Sequence, residues 1–206
     1  MFTLELRTGI VLIFALAAAG FFLHRYFANS ISRTLRKASQ NDPTAQYQMG
    51  LYYYMGKRVE KDFHEAFLWF ETAAHNGYVR AQVALAGLYN AGTGCTKNEE
   101  KTFQWYQTAA QSGDFEARVN LAICYLEGIG TPKDEQKGFE ILKSAADEKS
   151  PLACTLLARM YENGEGIPPD ISKATKYYLL AAKQGEPIAK KQLEKLKGKN
   201  LAGPTI

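Results

Sequence analysis

Apolar and small residues recur along this chain at helical spacing, in blocks separated by short polar stretches that contain glycine. In the stretch AQVALAGLYNAG, the residues Ala81, Leu85 and Leu88 fall on one side of a helix. Gly92 then ends the block, and a polar loop leads to Asn98, a residue type that caps helices by accepting bonds from free backbone N–H groups. The pattern therefore predicts two helices joined by a short loop.

The same pattern returns every 36 residues. Four kinds of residue recur at this interval. They are the small residues Ala45, Ala81, Ala117, Ala153 and Ala189, the aromatic residues Tyr53, Tyr89, Tyr125 and Tyr161, the glycines Gly56, Gly92, Gly128 and Gly164, and the capping residues Asp62, Asn98, Asp134 and Asp170. A period of this length is typical of helical solenoids, in which one hairpin cannot bury its apolar face alone. The sequence therefore predicts an all-α, right-handed solenoid of four hairpins, residues 45–80, 81–116, 117–152 and 153–188.

The periodicity continues past both ends of the four hairpins. One period earlier lies a segment that would place Ile31, Leu35 and Ala38 on one helix face, so residues 30–44 are predicted to form a half-repeat cap. At the other end, AKKQLEKLKGK predicts a charged capping helix over residues 189–200 with its two leucines turned inward. Residues 201–206 are expected to form a loose tail.

The amino-terminal segment has a different character. Residues 8–23, TGIVLIFALAAAGFFL, contain no charged residue. A helix of that length covers about 24 Å, and flanking arginines can extend to the interfaces of a bilayer core of about 30 Å. Residues 1–29 are therefore predicted to form a single membrane anchor, with a transmembrane helix over about residues 8–25. A cleaved signal peptide is the alternative, because Ala17 to Ala19 fit an A-x-A site.

Basic residues flank this segment unevenly and predict its orientation. Arg25, Arg33, Arg36 and Lys37 all follow it closely, whereas Arg7 alone precedes it beside the acidic Glu5. The positive-inside rule places the repeats in the cytoplasm. An exported or periplasmic location is the alternative, because the anchors of exported bacterial proteins are similar in length and hydropathy.

The distribution of charge argues against a nucleic-acid partner. The formal net charge of +4 comes from the ends of the chain, since residues 42–185 hold 15 basic and 18 acidic residues. A nucleic-acid interface needs lysine and arginine clustered on one face. The slightly acidic array offers no such cluster in its sequence pattern.

No motif for catalysis or metal binding is present in the sequence. The histidines His24, His64 and His75 are isolated, and the cysteines Cys95, Cys124 and Cys154 lack metal-type spacing. These cysteines are expected to be small buried apolar side chains. We therefore expect no catalytic residue, no metal, no cofactor and no enzyme activity.

The repeats resemble a known family. The matching segments are QMGLYYYMG with FLWFETAAHNG, LAGLYNAGTG with FQWYQTAAQSG, LAICYLEGIG with FEILKSAADEK, and LARMYENGEG with TKYYLLAAKQG. They resemble the Sel1-like repeat, a relative of the tetratricopeptide repeat with a longer loop between its helices. The resemblance covers about three quarters of the chain, and it implies stacked helix hairpins and a role as an adaptor in assembly or signalling.

Two units depart from the repeat pattern at a glycine. Arg58 stands where the other units have a second loop glycine, and Lys149 replaces the glycine that ends the second helix. These departures predict a changed first loop and a changed junction between the third and fourth units.

Stacked hairpins generate an extended concave surface that can hold a partner. If Ala45, Met49 and Tyr53 turn inward, a rotation of 100° per residue turns a second set outward. The partner-binding residues predicted on that face are Tyr47, Leu51, Tyr54, Val119, Ile123, Leu126 and Arg159. Their chemistry changes from unit to unit, and exposed apolar patches often mark interfaces.

We therefore expect a membrane-tethered scaffold that binds a protein or peptide on the concave face and contacts the lipid bilayer through its amino-terminal helix. One alternative is an exported envelope or virulence-related repeat protein. A second is a cell-wall or β-lactam-interacting enzyme, an activity associated with some relatives of the family. Those relatives have paired cysteines in every repeat, and this sequence does not.

Overall fold

A computed structural model describes residues 31–201 of the chain, with side chains through residue 196. Within that range the chain forms ten helices and no strand. The helices are α1 (31–39), α2 (Pro43–Met55), α3 (Phe63–His75), α4 (Val79–Ala91), α5 (Glu99–Gln111), α6 (Phe115–Glu127), α7 (Glu135–Asp147), α8 (Pro151–Asn163), α9 (Ile171–Lys183) and α10 (Pro187–Leu201).

The predicted membrane anchor, residues 1–29, lies outside the described residues. Among the helices that are described, none has the length and apolar character needed to cross a bilayer. The anchor therefore stays a prediction from the sequence.

Eight of the described helices alternate between two roles, which we call A and B. The A helices are α2, α4, α6 and α8, the B helices are α3, α5, α7 and α9, and each is 13 residues long. The A helices begin at residues 43, 79, 115 and 151, two residues before the boundaries expected from the alanines. By the same period, α1 corresponds to the end of a B helix and α10 to an A helix.

Each B helix begins at the capping residue predicted from the sequence. The Asp62 carboxylate accepts a hydrogen bond from the Glu65 N–H at 3.0 Å, and Asn98, Asp134 and Asp170 accept the equivalent bond at 2.9 Å. A cap of this kind stabilises a helix by about 1 kcal/mol. The predicted helix starts are confirmed.

A residue with left-handed backbone conformation ends each A helix, and others of this kind shape the loop that follows. Gly56, Gly92, Gly128 and Gly164 have φ between 64° and 75°. Arg58 has φ 74° at the position of the second loop glycine, and its guanidinium donates a 2.8 Å hydrogen bond to the Tyr52 hydroxyl. Lys149 has φ 68°, like the glycine that it replaces. Arg58 and Lys149 therefore adopt the backbone conformation of the glycines in the other units, and a changed junction between the third and fourth units stays a prediction.

The second loop glycine has a further reason to lack a side chain. A β-carbon on Gly130 would collide with the carbonyl oxygen of Glu99, the first residue of the preceding B helix. A β-carbon on Gly166 would lie 2.5 Å from the Glu135 β-carbon in the same relation one repeat later. This glycine is therefore a point of contact between consecutive repeats.

The chain divides into two compact units, Met1–Ala81 and Gln82–Ile206, so α4 begins in the first and continues in the second. The core of the first unit contains Ala38, Ala45, Met49 and Tyr52, with Ile31 packed against it. Leu35 was expected on this inward face, but it is 44% exposed. Leu35 lies about 60° around the axis of α1 from Ala38, and this rotation places it at the edge of the core.

The second unit has one continuous core formed by α6 to α10. Leu142, Leu157 and Tyr178 are among its most buried side chains. Leu193 and Leu196 of α10 are 8% and 5% exposed and belong to the same core. The predicted inward orientation of these two leucines is confirmed.

Alanines are buried in the packing of the A and B helices. Two ladders at the 36-residue step are completely buried, and they are Ala81, Ala117, Ala153 and Ala189 on the A helices and α10, and Ala73, Ala109, Ala145 and Ala181 on the B helices. At Gly138 of α7 a β-carbon would lie 2.6 Å from the Leu126 side chain. The helix spacing therefore tolerates only very small side chains at these positions.

We predict that Gly130→Ala lowers the free energy of unfolding by about 3 kcal/mol or more. The new β-carbon adds strain at positive φ of about 1–2 kcal/mol, and it must also push two backbone segments apart. Gly113→Ala is the matched control, because Gly113 has φ 83° and no atom near its β-carbon position. Urea unfolding followed by circular dichroism measures both, and equal losses would show that the loop contact is absent.

Candidate binding surface

Each A helix is buried around most of its circumference. In α6 the residues Ala117, Val119, Leu121, Ala122, Cys124 and Tyr125 are buried, because α5 and α7 cover two sides of the helix. Of the seven residues that are not buried, Glu116, Asn120, Ile123 and Glu127 are separated by four, three and four residues. At 100° per residue they span an arc of only about 60°.

We call these positions and their equivalents on the other A helices the A-stripe, which is considered separately in each of the two units. It consists of Thr44, Gln48, Leu51 and Met55 on α2; Arg80, Ala84, Gly87 and Ala91 on α4; Glu116, Asn120, Ile123 and Glu127 on α6; and Leu152, Leu156, Arg159 and Asn163 on α8. All sixteen residues are half-buried or exposed. The A-stripe is therefore one open face of the A helices, and Tyr54 and Phe115 are exposed outside it.

Three of the seven residues predicted to bind a partner lie on the A-stripe, and they are Leu51, Ile123 and Arg159. Tyr54 and Leu126 lie at its edge, with Tyr54 40% exposed and Leu126 half-buried against the second core. Their role in binding stays a prediction.

Two predicted residues point elsewhere. Val119 is only 1% exposed and belongs to the core of the second unit, so its expected exposure is wrong. Tyr47 is half-buried, with its ring centroid 5.4 Å from Phe70 and 5.1 Å from Tyr78. Both residues are covered because an A helix packs against more than one neighbour, so the face turned away from an inward alanine is not free.

The sequence reasoning also missed most of the A-stripe. Gln48 and Asn120 occupy one of its positions, and both are polar residues next to apolar neighbours. A polar residue at this place in two of the four units was the available signal, since the other two units have Ala84 and Leu156 there. This signal shows that the exposed face of an A helix is rotated about the helix axis from the face that was predicted to bind a partner.

In the first unit the A-stripe combines polar and apolar side chains. Met55 is 61% exposed, while Gln48 and Leu51 are half-buried. Tyr54 lies beside this stripe with its ring 5.3 Å from Phe63. Methionine adapts to irregular apolar surfaces, so this end of α2 suits an apolar contact.

In the second unit the A-stripe has an apolar centre and charged flanks. Ile123 and Leu156 pack against the core and remain half-exposed, and Leu152 is 41% exposed. Glu116 and Glu127 are exposed on α6. On α8 the Arg159 guanidinium lies 3.8 Å from the Glu165 carboxylate, and its side chain is 48% exposed.

A recess interrupts the A-stripe on α4. Gly87 occupies the position of Leu51, Ile123 and Arg159, and a β-carbon there would lie 3.8 Å from the Tyr106 hydroxyl. Burial raises the pKa of Tyr106 to about 12, and Cys124 and Glu116 add to the shift. The hydroxyl is therefore protonated at neutral pH and can donate a hydrogen bond to a carbonyl or carboxylate placed over Gly87.

The cysteines are free thiols in an apolar setting. Cys124 and Cys154 are buried and Cys95 is half-buried. Burial raises the pKa of Cys124 to about 11, so the thiol is neutral at physiological pH and a poor nucleophile. In the part of the chain that the structure describes, no group of three or more histidine, cysteine or acidic side chains could hold a metal ion.

The fold and this surface define a class of protein, an all-helical repeat solenoid with an open stripe on its A helices. The family model of the Sel1 repeat matches residues 43–78, 79–114, 115–150 and 151–186. These four matches cover most of the chain and coincide with its helix hairpins. The chain belongs to the Sel1 repeat family.

Solved structures support the same fold. A Sel1 repeat protein from Oxalobacter formigenes matches with a TM-score of 0.75 and 31% identity over 79% of this chain and 65% of that one. The protein c5321, a protective antigen of uropathogenic Escherichia coli with an SLR fold, matches with a TM-score of 0.73 and 29% identity over 82% of this chain and 36% of its own. The chain therefore spans less than two thirds of each of these relatives. The comparison with curated proteins found no match.

Proposed function

We propose that this protein is a membrane-tethered scaffold that binds a segment of a partner protein along the A-stripe of its second unit. Sel1 repeat proteins generally mediate protein–protein interaction and are typically not catalytic. The main support for the proposal is a contrast between two sets of positions that recur every 36 residues. The buried alanines repeat unchanged, whereas the open position changes from Leu51 to Gly87, Ile123 and Arg159.

Variation at an open position is expected of a surface that recognises one partner. A stripe that served only solubility would carry polar residues at every repeat. Instead, Ile123 and Leu156 keep an apolar centre that is only partly covered. Apolar side chains at the centre of a surface supply most of the binding free energy, and a charged rim supplies specificity.

In the second unit these groups fit an extended or helical peptide of mixed character. Apolar side chains of the peptide would cover Ile123 and Leu156, and basic side chains would face Glu116 and Glu127 on α6. A peptide carbonyl over Gly87 would accept a hydrogen bond from the Tyr106 hydroxyl. Together these groups recognise a segment of a protein and supply no group for covalent chemistry.

We further propose that residues 1–29 form a single anchor and that the repeats lie in the cytoplasm. The support is the uncharged stretch over residues 8–23 and the basic residues that follow it. An anchored scaffold meets its partner at the membrane surface, which raises the effective concentration of a partner that is itself tethered there.

The binding proposal predicts that Leu152→Gln combined with Arg159→Glu lowers recovery of the partner by about tenfold or more, because it removes an apolar contact and reverses a charge. Gly87→Leu, which covers the Tyr106 hydroxyl, should have a similar effect. The measurement is affinity purification of the full-length chain with quantitative mass spectrometry of co-purifying proteins.

The matched control is Lys143→Glu combined with Ser144→Gln, because both residues are exposed on the outer side of α7. The control is expected to recover the same partners as the wild type. Unchanged recovery by both A-stripe variants, with circular dichroism showing intact helices, would exclude the A-stripe as the binding surface.

The topology proposal predicts low activity of alkaline phosphatase fused to the carboxyl terminus in bacterial cells, because this enzyme folds only after export. A green fluorescent protein fusion at the same position should be fluorescent. High phosphatase activity with a dark fluorescent fusion would place the repeats outside the cytoplasm.

One similarity favours a second candidate function. The protein c5321, which shares 29% identity with this chain, is a protective antigen of a pathogen. An exported repeat protein that binds its partner in the envelope is therefore the alternative. The two fusions distinguish it from the cytoplasmic scaffold.

A further inference from the structure

The outer side of α9 differs from that of the other B helices in the second unit. Its exposed face holds Ile171, Thr175, Lys176, Leu179, Leu180 and Lys183, which we call the α9 strip. Ile171, Leu179 and Leu180 are 44%, 43% and 40% exposed. These residues line an open depression of about 550 Å³. The strip extends for about 18 Å along the helix.

The positions of the two exposed leucines hold polar residues in the two preceding B helices, α7 and α5. Leu179 and Leu180 correspond to Gln107 and Thr108 of α5, and to Lys143 and Ser144 of α7. Most of these residues are also exposed, so the outward direction of the position is the same. Large apolar side chains on α9 are therefore not required by the repeat fold.

The charge on this exposed face also changes between α7 and α9. Ile171 and Lys183 of α9 correspond to Glu135 and Asp147 of α7, so acidic residues are replaced by an apolar and a basic one. No acidic residue lies in the α9 strip. Lys176 and Lys183 form no ion pair with any residue that the structure describes, whereas Lys173 beside the strip is paired with Asp170 at 3.3 Å. The strip thus offers two ammonium groups that have no ion-pair partner among the described residues, and that of Lys176 lies 5.9 Å from the centre of the Tyr177 ring.

We propose that the α9 strip is a second docking site and that it binds an acidic amphipathic helix of a partner protein. The leucines would contact one apolar face of such a helix, and its glutamates or aspartates would pair with Lys176 and Lys183. Helices that dock in this way present apolar anchors at positions i, i+3 or i+4, and i+7. The length of the strip matches three to four turns of a partner helix.

Two other occupants fit the strip less well. A second copy docked through the same strip would bring the lysines of both copies together without any acid between them, which is unfavourable. A lipid surface takes up helices whose whole apolar face enters the bilayer boundary, whereas each of the three apolar side chains of the strip is more than half covered. A complementary helix that contacts the leucines and brings acidic residues to the lysines satisfies both the apolar and the charged groups.

The experiment uses the full-length chain in a nonionic detergent and a fluorescein-labelled synthetic peptide. The peptide is an amphipathic helix with leucines on one face and glutamates beside them, and a peptide of the same composition in scrambled order is its control. Fluorescence anisotropy is expected to show saturable binding of the first peptide only. Added salt should weaken this binding because charge pairs contribute to it.

Two variants convert the strip to the residues of α5. Leu179→Gln with Leu180→Thr removes the apolar contacts, and Lys176→Gln with Lys183→Gln removes the charges. Each is expected to weaken peptide binding by about tenfold or more. Gln107→Ala with Thr108→Ala on α5 is the matched control and should bind as the wild type does. The A-stripe variant Leu152→Gln with Arg159→Glu should also bind normally, which separates this site from the proposed scaffold surface.

Other outcomes overturn the inference. Absence of saturable peptide binding, or equal binding by both α9 variants and the wild type, would exclude an acidic helix as the occupant. Preferential binding to vesicles that contain phosphatidylserine over vesicles of phosphatidylcholine alone, lost in the α9 variants, would assign the strip to a lipid surface. Self-association in sedimentation that the same variants abolish would assign it to a second copy.

Discussion

The close approach of the A and B helices at fully buried alanines is the constraint on which the rest of this structure depends. Ala117 on α6 and Ala145 on α7 are each 0% exposed, and their counterparts in the other repeats are at most 6% exposed. A larger side chain at such a position must separate the helices or adopt a strained rotamer. Because the hairpins close tightly, α6 is covered by its own B helix α7 on one side and by α5 on another. The A-stripe of α6 is then left open.

Polar groups fix the ends of these hairpins. In the third repeat Arg118 of α6 forms a two-bonded ion pair with Glu148, which follows α7, and this pair holds the pKa of the Glu148 carboxyl below its ordinary value. Two periods earlier, Asn76 donates to Gln46 at 2.8 Å in the same place. The chemistry of this contact differs between repeats while its position is constant. The period of the chain therefore preserves geometry and leaves residue identity free to vary.

The ladders of alanine, tyrosine and glycine were sufficient to predict the hairpins and the capping residues, because each of these features depends on local sequence. The expected exposure of Val119 was wrong for a physical reason. Rotation about a helix axis indicates where a side chain points, but it does not show which neighbouring helix covers that direction. The same limit explains Leu35, which shares a side of α1 with Ala38 yet lies beyond the contact. The Gly87 recess also depends on packing between helices, since the Tyr106 hydroxyl reaches α4 from α5.

Other features were present in the sequence but their meaning required the structure. Arg58 and Lys149 looked like breaks in the repeat, and both adopt the left-handed backbone of the glycines that they replace. The pair Leu179 and Leu180 fell inside a helix rich in apolar residues, so it was not distinguished from the core. Once α9 was seen to expose both leucines, comparison with Gln107 and Thr108 showed that they are unusual for their position.

The most direct test of this account is a cysteine scan along α6 with a maleimide reagent. The chain would carry Cys95→Ser, while the buried Cys124 and Cys154 remain as unreactive internal controls. Single cysteines at positions 116, 120, 123 and 127 are predicted to label rapidly. Cysteines at positions 117, 119 and 122 are predicted to label at least about a hundredfold more slowly, because labelling there requires local unfolding. A cysteine at position 119 that labels as rapidly as one at position 120 would contradict the account.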